Sequence, residues 1–405
     1  MKINVYIRGS RMRYLVPKVF FEANLLCVLY TDAYSKDSFA RLIAFIQKLF
    51  SLKTIPFKKY LQRDPKIPQK QIRAFPYLNL VKEIAFRIIS KEYMKQNIAR
   101  SYFSKKFNLQ IIKDLDTNAA VFYGINGDCL EILQFLKGKE RKTLCVVEQC
   151  ILPYRLQHEI YKSIPGFDPN EYIDVDEVSY REEQEWKIAD LVLAPSSFVE
   201  EGLLKLGVQK EKIKVIPYGT DREFFKPIER QSVQGTMKIL FVGAVTTRKG
   251  ILIISEILKG LHIPFECIIA GPVIESFENN FEGLNVKIIG AVDIENVKIL
   301  YGWADVFLFP TYIEGSANVV YEALASGLVV LTTHNCGSVI DNGVDGFIID
   351  NSKIEKYVEV LCELYNNSHL LNQISANAIK KSFDYDLKSY GERLINIITN
   401  EFQNR

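Results

Sequence analysis

The chain has 405 residues, 48% of them apolar and 24% charged, the balance of a soluble globular protein long enough for more than one hydrophobic core. A formal net charge of +3 gives no ground for a nucleic-acid partner, and no run reaches the roughly 18 uncharged apolar residues that a membrane span needs. Seven scattered cysteines without a CxxC pair argue against a disulfide framework and read as buried thiols of a reducing compartment.

In chain order, residues 1–7 lack the apolar core of a signal peptide, so the expected location is cytoplasmic. Residues 3–7 are instead a first strand candidate, followed by the loop of Arg8, Gly9, Ser10, Arg11, Met12 and Arg13. Residues 25–30, 119–123, 144–147 and 191–194 are further strand candidates. Between the second and third of these strands lies a stretch of another character, 51–110, with 14 Lys or Arg against 3 Asp or Glu. It interleaves its cations with Phe57, Tyr60, Phe75, Tyr77, Phe86, Tyr93, Tyr102 and Phe103. Cations beside aromatics suit attachment to an anionic membrane surface, at about 1 kcal/mol per nearby cation. A solvated helical face with its aromatics in the core is the other reading. A nucleic-acid groove has similar composition, but no nucleic-acid motif accompanies this one.

The rhythm is clearer beyond residue 237. Strand candidates at 238–242, 265–270, 286–289, 306–309, 329–332 and 347–349 alternate with helical spacing at 250–261 and 319–326. Such βα units imply an α/β chain with parallel sheets and helices on both faces. Pro217 and Gly219 mark a boundary near 215–221, a polar linker follows at 229–236, and 386–402 has amphipathic helical spacing. The expected domains are therefore 1–221, 222–385 and a terminal helix, 386–405.

Two loops carry the chemistry. In the first, a strand stops at Pro310, the run Glu314, Gly315, Ser316, Ala317 follows, and a helix starts near Asn318. Loop amides at a helix start suit a phosphate, and Gly315, Ser316 and Ala317 are small enough for a ligand to approach the backbone. Glu314 and Glu322, with seven residues between them, repel an anion unless they accept hydrogen bonds from hydroxyls, and a nucleotide sugar offers hydroxyls on both sides of its diphosphate. Either glutamate alone is as readily a cap or a solvated helical residue. The second loop runs from Gly243 to the adjacent cations Arg248 and Lys249 and to Gly250. A departing diphosphate needs positive charge there, and cations at a helix start otherwise oppose its dipole.

Residues 190–383 resemble the donor half of glycosyltransferase family 4, retaining enzymes of the two-domain GT-B fold. The resemblance rests on Asp190 to Phe198, on Ile216, Pro217, Tyr218, Gly219 and Asp221, on 241–250 and 314–327, and on Gly337, Asp345 and Gly346. It implies a GT-B architecture of two Rossmann-like, doubly wound domains facing a cleft, with the final helix packing back on the first. The implied co-substrate is a nucleotide diphosphate sugar, with no metal or other cofactor. The implied acceptor is a glycan or a lipid-linked glycan, as in bacterial surface-polysaccharide synthesis, at the inner face of the cell membrane.

By the same resemblance Glu314 lies against the transferred sugar, Glu322 binds the ribose, Lys249 binds phosphate, and the base stacks near Ala291. The family's arginine falls on Ala244, a departure that Arg248 offsets. No histidine stands at the end of the central strand 144–147, where many members carry one. Glu148 is the candidate for that hydrogen-bonding or acid–base role, or is simply polar at a strand end. His158 reads as structural, on a following helix. Gly9 and Arg11 are the acceptor-side candidates, their loop lacking the family's paired glycines; an anionic acceptor and plain solvent are equally good partners for its arginines. An epimerase or phosphorylase on the same fold, and a sugar-nucleotide-binding protein without catalysis, are the alternatives.

Overall fold

Each short apolar run becomes a strand of one of two parallel sheets, because helices on both faces bury the inner strands on both sides, while edge strands such as Val286–Gly290 keep exposed positions. The computed structural model describes residues 1–38, 40–41, 63–89, 93–138, 142–165, 176–227 and 235–405. Phe57, Tyr60 and linker residues 229–234 lie outside the described residues.

The first sheet has seven strands: β1 (Ile3–Tyr6), β2 (Leu26–Thr31), β3 (Ile72–Ala74), β4 (Val121–Ile125), β5 (Leu144–Glu148), β6 (Leu191–Ala194) and β7 (Ile213–Val215). Their order is β3-β2-β1-β4-β5-β6-β7, every pair parallel. The sequence does not announce β3 and β7, since three-residue edge strands are too short to show a period. Alternation along the strands divides the core in two. Val5, Val121, Tyr123, Leu144 and Leu193 face one cluster, while Tyr30, Phe122, Cys145 and Val192 face the other.

The first cluster is covered by α1 (Leu15–Glu22). The helices on the other face are α2 (Pro76–Ile88), α3 (Tyr93–Asp114), α4 (Leu130–Gly138), α6 (Asp176–Ile188) and α7 (Ser197–Lys205). A further helix, α5 (Tyr154–Ser163), carries His158 after β5. Ser196 starts α7 by accepting from the Val199 amide, the usual relief of an orphan N–H.

The second sheet has six parallel strands: β8 (Met237–Val242), β9 (Phe265–Ala270), β10 (Val286–Gly290), β11 (Val306–Phe309), β12 (Val329–Thr332) and β13 (Phe347–Ile348). Their order is β10-β9-β8-β11-β12-β13. Its helices are α8 (Ile251–Lys259), α9 (Ile294–Trp303), α10 (Asn318–Ala325), α11 (Ile354–Asn366) and α12 (Ser368–Ser382).

The last helix, α13 (Leu387–Gln403), returns to the first sheet. Its Tyr390, Leu394 and Ile398 are buried in the first cluster, and Gly391 abuts Val19 of α1. Each such aliphatic side chain contributes about 1.5–3 kcal/mol by leaving water, so the return is held by packing. Tyr321 of α10 joins the same cluster, which ties the two sheets together.

Candidate active site

In each sheet the strand order reverses once, between β1 and β4 and between β8 and β11. Loops leave the carboxyl ends in opposite directions at such a point and open a crevice, the usual ligand site of open α/β sheets. Both loops singled out by sequence leave the β8–β11 reversal.

Thr247–Lys249 is a short 3₁₀ turn, and Gly250 then starts α8 at φ +79°. A Cβ on Gly250 would overlap the Pro310 carbonyl, so only glycine lets the turn approach the end of β11 this closely. That approach brings Arg248 and Lys249 to Glu314. One carboxylate oxygen, Oε1, accepts from Arg248 Nη1 at 2.9 Å and also from the Lys249 ammonium. Arg248 donates as well to the Ile313 carbonyl at 2.6 Å. The Lys249 ammonium lies 5.2 Å from the centre of the Phe309 ring. Burial holds its pKa below the ordinary lysine value, with Glu314 pulling the other way and Arg248 adding to the depression. Of the two basic side chains Arg248 is the more exposed.

Glu314 opens the run to α10, whose N-cap Ala317 gives no side-chain hydrogen bond. The Val320 amide donates to the Ala317 carbonyl at 3.0 Å, and the amides of Asn318 and Val319 ahead of it are the ones a helix start offers to an anion. Asn318 begins the helix. Ser316 is buried, its hydroxyl 2.7 Å from that of Tyr321. Glu322 lies one turn into α10 and accepts from the Tyr301 hydroxyl of α9 at 3.0 Å. Burial raises the pKa of Glu322, against the Tyr301 hydrogen bond and the charge of Arg13, which therefore acts on it from the first domain. Gly243 follows β8, on the same crevice. Ala291 is exposed just beyond β10, at the sheet's edge.

Gly315 needs its small size for a different reason from the one read in sequence. A Cβ there would overlap the Cys150 carbonyl, so the close neighbour is the backbone of the first domain rather than a ligand. The Gly315 carbonyl accepts from Ser196 Oγ at 2.5 Å. Ile313 beside it is fully buried against Leu152, Leu156 and Phe198 of the first domain. The loop that carries Glu314 is thus seated on the opposite domain.

On the first-domain side the Gly9 amide donates to Asp32 Oδ1 at 2.9 Å, and Asp32 is paired with Arg63 and Lys82. Met12, Arg13 and Tyr14 then occupy the left-handed region in succession, at φ 46°, 51° and 61°. At roughly 1–2 kcal/mol each this conformation is held by its surroundings, chiefly the burial of Tyr14 and its hydrogen bond to the Ala33 carbonyl.

Arg11 and Glu148, read from the sequence as an acceptor-side residue and a strand-end acid–base candidate, meet each other inside the first domain. Arg11 turns inward, its guanidinium bonded to the Tyr218 hydroxyl and lying 3.3 Å from Glu148 Oε1. Glu148 is 3% exposed and also accepts from the hydroxyls of Tyr123 and Tyr218. A buried carboxylate with three donors works as an anchor between strands, and Arg11, its side chain 29% exposed, gives part of its guanidinium to that anchor. The anchor joins β4, β5, the first-domain loop and Tyr218 of the crossover. Sequence reading gave no site role to Tyr123, Tyr218, Tyr301 or Ile313, because only their neighbours across the fold distinguish them.

Residues 223–381, less than half of the chain, match the family model described as glycosyl transferases group 1. Over 227 residues the chain is 24% identical to the sulfoquinovosyl transferase SQD2 of Arabidopsis thaliana, a match covering 52% of this chain and 44% of that protein. It is 25% identical over 187 residues to the capsular polysaccharide biosynthesis glycosyltransferase CapM of Staphylococcus aureus, covering 43% of this chain and 47% of that one. The matches thus span less than half the length of these curated relatives. Across 99% of the chain the fold matches the whole of Anabaena HepE, solved with UDP and glucose, at a TM-score of 0.62 and 12% identity. At that identity the likeness is one of fold: two Rossmann-like domains in the GT-B arrangement.

Proposed function

We propose that the chain is a retaining glycosyltransferase of the family 4 kind, moving a sugar from a nucleoside diphosphate sugar to a glycan or lipid-linked acceptor. Its setting in this reading is bacterial surface-polysaccharide assembly, in the cytoplasm at the inner face of the cell membrane. The observation that carries the reading is the carboxylate of Glu314 held between Arg248 and Lys249 where the second sheet reverses. All three residues, with Glu322, lie inside the matched segment 223–381.

A diphosphate entering the crevice takes over both cations and the first amides of α10. Glu314 then turns its acceptor oxygens to the sugar hydroxyls, and Glu322 does the same for the ribose, while the base lies toward Ala291. In the transfer the bond from the anomeric carbon to the diphosphate oxygen breaks, and the acceptor hydroxyl oxygen bonds to that carbon from the same face. The hydroxyl proton passes to the departing phosphate oxygen. Arg248 and Lys249 meet the charge that develops on that oxygen, so the protein supplies the cations that a divalent metal would otherwise provide.

Thermal-shift titration with UDP-, GDP- and ADP-sugars, with EDTA present, tests the donor half. One base is expected to stabilise the chain by about 2.7 kcal/mol at 100 times its Kd. No stabilisation by any of them sinks the proposal. UDP is the first to try, since HepE was solved with it. Incubation with the donor alone separates an epimerase, which converts it without acceptor.

A further inference from the structure

The face of α2 away from the sheet presents Tyr77, Val81, Ile84 and Ile88, which are 64%, 56%, 47% and 78% exposed. Their spacing of four, three and four residues places them on one side of the helix. A soluble helix normally turns such a stripe to the core, yet this core is already served by Phe75, Leu78, Ala85 and Phe86 of the same segment. The neighbouring α3 continues the apolar surface with Ile98, Tyr102 and Leu109, all about half exposed. The two helices are joined by the rings of Phe86 and Phe103, 6.2 Å apart.

Around these apolar side chains the exposed residues of α3 are Arg100, Lys105, Lys106 and Lys113 against one acid, Asp114. An apolar stripe edged by one sign of charge fits the boundary of an anionic lipid layer: the apolar groups enter the acyl region while the cations meet the headgroups. The same surface adjoins the cleft. Lys82 of α2 turns inward to Asp32, and Asp32 accepts from the Gly9 amide at the end of β1.

We propose that the outer face of α2 and α3 docks on an anionic membrane surface and sets the acceptor wall of the cleft against it. Only the second clause, delivery of a lipid-linked acceptor, rests on the proposed function. Tyr77 and Tyr102 sit at the headgroup level, where an aromatic body and a polar tip are both satisfied.

Flotation of the full chain with vesicles tests the docking. The parent is expected to float with phosphatidylglycerol–phosphatidylcholine vesicles at low salt, to be released at high salt, and to ignore phosphatidylcholine alone. Val81→Ser with Ile84→Ser lowers the partition about ten-fold or more, since both side chains leave the acyl region. Lys105→Ala with Lys106→Ala lowers it some thirty-fold, about 2 kcal/mol at roughly 1 kcal/mol per cation, and flattens the salt dependence.

All four positions are exposed, so thermal midpoint and nucleotide-sugar affinity stay as in the parent and show that the variants fold. A parent that stays off anionic vesicles overturns the proposal. Variants that bind like the parent also overturn it, and give the face to another occupant, residues 42–62 of this chain included. A concentration-dependent dimer that Val81→Ser with Ile84→Ser makes monomeric, without vesicle binding, assigns the face to a second copy. A parent that binds no nucleotide sugar counts against the transferase reading and leaves the docking result standing.

Discussion

Glu314 accepts from two cations at one oxygen, so it competes with any anion for the same donors. Glu314→Gln removes the competing charge and keeps the shape. It is expected to tighten binding of the nucleoside diphosphate several-fold while lowering sugar transfer about 10²–10³-fold, a split that calorimetry and initial rates read separately. Equal loss of both would show that Glu314 serves only to hold the loop. Lys249 and Glu314 are legible in the sequence because each sits at a fixed step from a strand end and a glycine. Glu148 has the same strand-end signature, yet Tyr123, Tyr218 and Arg11 enclose it. A strand end fixes where a side chain starts, and the residues packed around it decide whether solvent or substrate ever reaches it.

At the scale of elements, the loop between β11 and α10 is shaped by the first domain as much as by its own. Gly315→Ala would push a methyl into the Cys150 carbonyl and weaken the bond from Ser196. It is expected to unseat Ile313 and lower transfer at least ten-fold, with nucleotide affinity much less affected, because a 1 Å misplacement of the reacting groups costs about 10²-fold. Unchanged transfer would mean that the seat plays no part. A second element, α6, stores two carboxyls behind the cleft. Glu182 accepts from Asn126, Gln149 and the Tyr154 amide, and Glu185 from the amides of Gly127 and Cys129. Burial raises them to about 7 and about 8, against those hydrogen bonds. Between their ordinary value of 4.5 and those values the unfolded chain ionises while the native carboxyl keeps its proton. Folding then binds protons, and stability falls as pH rises through that window, by at most about 1.4 kcal/mol per pH unit for each group. Glu185→Gln is expected to lose part of that slope and to be more stable than the parent at pH 8, as thermal midpoints at pH 5 and pH 8 would register. A variant with the parent's full slope would remove Glu185 from the account.

For the whole molecule, parallel sheets are what the alternation of short apolar runs and helical spacing implies, while the return of the last helix to the first domain is what the family resemblance implies. The strands at 191–194, 265–270, 306–309 and 329–332 stand where the apolar runs stand, because a strand buried on both faces leaves an unbroken apolar string. The three-residue edges β3 and β7 leave none. The basic stretch is legible as charge but not as geometry. Its sequence shows cations beside aromatics, while the division into a buried Phe103 and an exposed Tyr102 follows from which side of α3 meets the sheet. By itself the sequence determined the α/β fold class and placed Arg248, Lys249, Glu314 and Glu322 on two strand-end loops, since strand ends, glycines and helix starts are local in the chain. Only the tertiary structure decided that Gly315 faces Cys150, that Arg11 and Glu148 meet one another, and that the stripe on α2 points away from the first sheet. Those outcomes depend on residues distant in sequence meeting in space, Gly315 with Cys150 and Arg11 with Glu148 among them, and no local period encodes which of them will meet.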